Sequence, residues 1–442
     1  METLKSKCDL VASEAVDILQ TRYKDEGDLY SRLERYHASD QTLQQFWKVI
    51  TAVPQWVDWE QVRRGQLVFK RYAFSMMIGF AFQGFAGEVV AAPGPAKVLD
   101  RTGSLSRHNI TPRVEVTLLQ WLMKVTQSPE SLRVDGQGFI STIRVRLRHA
   151  AVNRHMVNAS DSSSSSLDAA PHDIPINTYD SILILTFFCC NPIWKQLPQL
   201  GVHLSIQEVE DFVALYRFLA YLLGVPDEYF SSAVRAKKTM DDMKDGKNTP
   251  SEVSKKITSE FIDAFADRAP YNVSRGFILA GIWSMNSCHV CDALDLESVG
   301  WTPYIAFTGL RWSVMSAACL RRAGFPLPPD IFAIKVSEDS LLVLQGVQLT
   351  SLQKVFSILP GFEDYAPRTE FGGSLQKHTY ESVFPARHPK SNDCSKTCRY
   401  VLSISKRPVE TMLLIIFGTI CLLGTTLAFT IAKLLMMIIR LT

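Results

Sequence analysis

No glycine-rich phosphate loop occurs in the 442 residues, in either of the forms that cradle nucleotide phosphates. No G-x-S-x-G elbow and no H-E-x-x-H pair is present, which removes the commonest serine-hydrolase and zinc-hydrolase chemistries. Excess charge is lacking too: 47 basic residues against 44 acidic leave a net +3, so composition gives no case for a nucleic-acid partner. The nine cysteines are odd in number and irregularly spaced, unlike a disulfide framework. Cys288 and Cys291 in "CHVC" have zinc-ligand spacing, but the next pair, Cys394 and Cys398, lies about a hundred residues on, so buried or incidental thiols are the expectation. The N-terminus, "METLKSKCDLVASEAVDILQ", mixes acids into its first turns and has no continuous apolar core, unlike a signal peptide. Internal repeats are absent, and no alternation of strands with helices suggests a parallel sheet.

What is present is helical periodicity. "SEAVDILQTRYKDEGDLYSRLERYH" spaces apolar residues at helical intervals with charges between them. "SIQEVEDFVALYRFLAYLLGVP" opens with Ser205 and Glu208 in capping-box spacing and ends at Gly224 and Pro226. "SEVSKKITSEFIDAFADRA" and "YIAFTGLRWSVMSAACLRRAGFPLPP" follow the same pattern, the second stopping at Gly324. These signals predict an all-α fold. The serine-rich stretch from Asn158 to Asp173 reads as a solvated loop, and Ser337 to Arg407 as a less regular connector. Near the C-terminus, "MLLIIFGTICLLGTTLAFTIA", Met412 to Ala432, carries no charge and has the length of a bilayer-crossing helix. Lys390, Lys396, Arg399, Lys406 and Arg407 precede it and only Lys433 and Arg440 follow, which predicts a tail-anchored protein with its large part cytosolic. Three glycosylation sequons, at Asn109, Asn158 and Asn272, point the other way. The expected division is an N-terminal helical extension over 1–50, a principal domain over 51–335, a connector over 336–410, a membrane helix over 411–433 and a tail over 434–442.

One stretch is anomalous. "IRVRLRHAAVNRHM", Ile143 to Met156, carries four arginines, two histidines and no acid among apolar residues at helical spacing. On a helix from Phe139 to Val157, His149 shares a face with Thr142, Arg146, Asn153 and Met156, while Ile143, Leu147, Ala150 and Ala151 form a small apolar stripe. Buried arginine needs a partner, so carboxylates elsewhere in the chain or anionic groups on a ligand must serve. Three readings fit the spacing alone: solvated arginines around a satisfied core histidine, a site for an anionic substrate or lipid headgroup, or a haem site. In the last, His149 would ligate the iron and arginines such as Arg146 would pair with the propionates.

"VRLRHAAVNR" resembles the R-x-x-H-A-x-x-R helix of the latex clearing protein (rubber oxygenase) family, with Arg146, His149 and Ala150 matching and Asn153, followed by Arg154, at the second arginine position. That family includes membrane-bound fungal oxygenases such as the one that shortens the farnesyl chain of a mycophenolic acid precursor. "WVDWEQVRRGQLVFKRY" is similar to its opening segment, with Asp58, Gly65, Gln66 and Tyr72 in place. "KVLDRTGSLS" resembles its distal segment, with Arg101 and Thr102 at the basic and threonine positions and Val98 where rubber-cleaving members have arginine. "DIPINTYDSILILTFF" supplies the P-x-N-x-x-D residues Pro175, Asn177 and Asp180, and "FLAYLLGVPDEYF" and "CLRRAGFPLPP" match later helices. The resemblance implies a globin-like helical domain around haem b with His149 as proximal iron ligand and metal site. Arg146, Asn153 and Arg154 would contact the cofactor, Arg101 and Thr102 would lie on the distal side, and Glu88 is a candidate general base or a charge partner. The implied activity is that of an endoplasmic-reticulum membrane oxygenase using O₂ to cleave a carbon–carbon double bond of an isoprenoid or polyketide-like substrate in secondary metabolism. An electron donor is left open. The alternatives are another oxidative reaction of the same fold (hydroxylation, cyclisation or peroxygenation) and a non-enzymatic membrane adaptor or lipid-binding protein.

Overall fold

Aspartate, asparagine and serine start most of the helices. Asp9, Asp28, Asp40, Asp58, Asn177, Ser205, Ser251 and Ser274 each place a side-chain oxygen on a backbone N–H of the first turn, where four donors lack intrahelical partners. The computed structural model describes residues 2–102, 120–162, 174–244, 250–267, 272–323 and 407–441. Every regular element among them is a helix.

Three short helices come first: α1 (Leu10–Thr21), α2 (Leu29–Tyr36) and α3 (Gln41–Thr51). The long amphipathic reading of residues 13–37 is broken between α1 and α2, where Gly27 takes a φ of +111°. The helix α4 (Trp59–Gly79) kinks at Tyr72 and continues into a π-helical stretch, Phe80–Val89, before α5 (Pro93–Arg101). Then come α6 (Gln120–Val125), the arginine-rich α7 (Gln137–Ser162) and α8 (Thr178–Asn191), the last running into a second π-helical turn, Pro192–Gln196. The remaining helices are α9 (Ile206–Leu222), α10 (Ala233–Lys244), α11 (Glu252–Phe265), α12 (Arg275–Met285), α13 (Trp301–Arg322) and α14 (Pro408–Leu441). The capping box of Ser205 and Glu208 forms as expected at the head of α9. The helix α7 extends past Val157 through Ser162, into the start of the serine-rich stretch. Most of the connector, with "IFAIKV" and the Cys394 pair, lies outside the described residues.

The core is built around the pairing of α4 with α9. Gly65 makes it close: a Cβ there would sit 2.3 Å from the backbone oxygen of Asp211. Beside it, Arg64 donates to both carboxylate oxygens of Asp211, at 2.9 and 3.0 Å. Gln66, 1% exposed, donates to the carbonyls of Val125 and Ser128 at 2.8 Å, fixing α6 and the chain after it against α4. One large hydrophobic cluster includes Phe46, Phe69, Phe139, Phe212 and Tyr216, and a smaller one joins α5, α11 and α12 through Ala96, Phe261 and Ile278.

Among the described residues, one helix is apolar and long enough to cross a membrane, with mean hydropathy 1.8 over Val409–Thr426. Its first turns belong to the helical body. Glu410 accepts from the backbone N–H of Ser274, Leu413 is buried, and Phe417 stacks on Trp312 with ring centroids 4.8 Å apart. Gly309 of α13 allows the approach, since a Cβ there would meet the Leu413 carbonyl at 2.2 Å.

Candidate functional site

On α7, Thr142, Arg146, Asn153 and Met156 are buried, as a core-facing stripe requires, whereas His149 in their middle is exposed. The stripe therefore opens onto a hollow at the histidine. The charge of the helix is answered mainly from the N-terminal extension. Arg146, 5% exposed, donates to both carboxylate oxygens of Asp9 at 2.6 and 3.2 Å and to the Leu222 carbonyl at 3.3 Å. Its guanidinium also lies 5.1 Å from the centre of the Phe46 ring. It thus caps the C-terminus of α9, where a cation is favoured, while Asp9 serves both Arg146 and the N-terminus of α1. Arg144 pairs with Asp28 and Arg154 with Asp17. Asn153 donates to the Ile176 carbonyl at 2.8 Å and accepts from its N–H at 2.6 Å, which ties the chain leading into α8 to α7.

Burial pushes the Asp28 carboxyl up, but hydrogen bonds from the Ser31 hydroxyl and N–H, with the Arg144 charge, outweigh it and hold the group below its ordinary 3.8. A depressed folded-state value makes its stabilising contribution complete above 3.8 and lost as pH falls through the lower folded value. Thermal unfolding of Asp28→Asn should therefore differ from wild type near neutral pH, with the difference shrinking in strong acid. A constant difference across that range would contradict this account.

Two cavities flank α7. The first, about 400 Å³, is lined by His149, Arg146 and Asn153 together with Cys8, Asp9, Thr178 and Gly224. The N-terminal strap crosses beside it, where the Thr178 N–H donates to the Lys7 carbonyl at 2.8 Å. Gly224, at φ +71°, admits the ion pair, because a Cβ there would sit 2.3 Å from Asp9 Oδ2 and 2.7 Å from Arg146 Nε. The second, about 650 Å³, lies between the end of α5 and α7 and is lined by Arg101, Thr102, Arg148, Ala151, Val152, His155 and Met156. Arg101 and Thr102 are thus brought together with each other. His149 lines the first cavity, while Arg148 and Val152 of the same helix line the second.

Glu88 lies elsewhere. It accepts from Asn191 Nδ2 at 2.6 Å and pairs with Lys195, while Gln196 donates to Gln83 at 2.8 Å. These contacts form a polar seam between the two π-helical stretches. Cys291 is buried, which pushes its thiol up to about 12, whereas Cys288 is exposed. Asn177 caps α8 and donates to Asp180 at 3.0 Å, so this part of the P-x-N-x-x-D motif is a helix start.

A haem b would need a nitrogen donor, an apolar wall for the ring and cations for two carboxylates. These types are divided between the two cavities: His149 lines the first, while Ala151, Val152 and Met156 and the cations Arg101, Arg148 and His155 line the second. The required residue types are present on α7 and the end of α5, shared between the two cavities. Of the lining residues, Arg148 and His155 were not singled out in the sequence, although their spacing of seven places both on one helix face. The acids Asp9, Asp17 and Asp28 carried no motif, and only the need for carboxylates elsewhere in the chain pointed towards them.

Residues 70–318 match the model of the "ER-bound oxygenase mpaB/B'/Rubber oxygenase, catalytic domain" family, more than half of the chain. The arrangement of helices is similar to that of latex clearing protein in its closed state, with a TM-score of 0.57 and 16% identity over 77% of this chain and 88% of that one. No curated protein sequence matches significantly.

Proposed function

The chain belongs to the family of ER-bound oxygenases of the mpaB/B' type and rubber oxygenases, and from that membership we propose that it is a haem b-dependent oxygenase that cleaves a carbon–carbon double bond of a polyisoprene-like substrate. The single observation that carries the haem reading is His149, exposed over a hollow in an otherwise buried stripe. When bound, haem b would supply the iron chemistry through which dioxygen is used.

The chain's own residues have separable tasks. His149 would hold the iron of the group through a ring nitrogen. Arg101 and the Thr102 hydroxyl bring polar groups to one wall of the second cavity, while Ala151, Val152 and Met156 give it an apolar side. Arg146 and Asn153 act at one remove, by holding α7 against α1, α9 and the start of α8. Glu88, bound to Asn191 and Lys195, positions the two π-helical stretches in this reading. The apolar start of α14 and the basic residues before it support anchoring in the endoplasmic reticulum membrane with the domain cytosolic, which suits a lipid-dissolved substrate.

Full-length protein purified in detergent after haem-supplemented expression should show a Soret band, and His149→Ala should abolish or strongly reduce it. A colourless, iron-free wild type would sink the proposal. Products formed under heavy-isotope dioxygen separate cleavage from its alternatives, because double-bond cleavage by dioxygenation labels both carbonyls and hydroxylation labels one alcohol.

A further inference from the structure

The head of α14 is fixed to the helical body rather than hinged on it. Arg407 donates to Asp267 at 3.2 Å, the buried Glu410 accepts from the Ser274 N–H at the start of α12, and Leu413 is buried. From there α14 runs beside α13 in the same direction: Gly309 faces Leu413, and Trp312, one turn on, stacks on Phe417. Leu320 lies about 16 Å beyond Gly309 along the axis, beside the middle of the uncharged segment Met412–Ala432. The end of α13 is suited to that place. No charge occurs from Trp312 to Leu320, between Arg311 and Arg321. Met315, Ser316, Cys319 and Leu320 share one face at spacings of three and four, and all are exposed. Ile415, Leu422 and Leu423 of α14 are exposed too. Length decides where lipid begins. Were the body held clear of the bilayer, only Leu423–Ala432 would remain to cross it before Lys433, about 15 Å against a hydrocarbon layer of about 30 Å. Entry near Met412 restores the full segment and takes the end of α13 in with it.

We propose that the bilayer contacts the helical body itself: the face of Met315, Cys319 and Leu320 lies among the acyl chains beside α14, so the body is seated in lipid rather than tethered above it. The proposal rests on the reading of α14 as a membrane helix and adds a second contact to it. Arg322, exposed at the end of α13, limits the depth. Its guanidinium must reach the headgroups, so the paired helices enter obliquely and α13 sinks about 5–10 Å, as an interfacial helix does.

The test uses the full-length protein in phosphatidylcholine vesicles, with an environment-sensitive fluorophore on one cysteine at a time and the other accessible thiols changed to serine. Three positions are compared: the native Cys319, Leu423→Cys on α14, and the native Cys288, exposed near Tyr304 towards the other end of α13. Phosphatidylcholine with a doxyl group on its acyl chain should quench most of the emission from the first two and leave that from Cys288. Quenching at Leu423→Cys but not at Cys319 overturns the seat and leaves the anchor standing. A label at Cys319 that is blue-shifted yet unquenched overturns it in favour of a protein cover, either the connector or a second copy of the chain. With neither position quenched, the anchor and the seat fall together.

Discussion

Asp9→Ala is expected to lower the unfolding free energy by about 3 kcal/mol, measured by denaturant titration of the detergent-purified protein. Two losses combine. Removing the N-cap of α1 costs about 1 kcal/mol. Removing the partner of a nearly fully buried guanidinium costs about 3–5 kcal/mol when both charges are enclosed. Asp9 is itself 22% exposed and Arg146 keeps the Leu222 carbonyl, so the second loss falls below that range. Arg146→Leu is the informative partner. Asp9 alone can turn to water, whereas Arg146 alone cannot, so Arg146→Leu should cost less than Asp9→Ala. The double variant should then recover part of the sum. Additive losses would mean that the two residues stabilise the fold independently, contrary to the geometry.

Gly65→Ala should cost about 2 kcal/mol, although alanine is the better helix former by nearly 1 kcal/mol. The methyl group would meet the Asp211 backbone oxygen at 2.3 Å and Leu215 Cβ at 2.9 Å. A carbonyl within a helix cannot rotate aside, so α4 and α9 must separate. Separation would also strain the Arg64–Asp211 pair and the Gln66 contacts with the chain after α6. A melting temperature equal to or above that of wild type would show that the approach of the two helices is looser than described. The same substitution at Gly418, which has nothing within 4 Å, is the control.

The all-helical class, the capping box at Ser205 and the exit at Gly224 were legible in the sequence, because caps and periodicity are local. So was the family, from motifs spread over most of the domain. The structure gives several of those motif residues architectural work: Asp58 caps α4, Gly65 allows a helix crossing, Gln66 fastens the chain around α6 and Asn177 caps α8. Less was legible of the site. The resemblance gave Arg146 and Asn153 as cofactor contacts; the structure adds their protein partners, Asp9 and Ile176, and no local pattern encodes the Asp9 contact across 137 residues. Conversely, Arg148 reads as a solvated residue until α5 is seen beside it, carrying Arg101 to the same cavity. Glu88 appeared close to the distal segment along the chain, yet the π-helical turns carry it to Lys195. Distance along the chain was a poor guide to company in the fold.

The dependence of α7 on the N-terminal extension sets an order in time. Asp9 is synthesised 137 residues before Arg146, an interval of roughly 7–30 s at translation rates of about 5–20 residues per second. Through that interval α1 can be capped but not docked, since the helix whose charges its acids answer does not yet exist. The segment carrying α1 must therefore wait for the arginines before it can dock. An extension clipped by a protease during that wait would leave a nascent chain with its cationic helix unanswered.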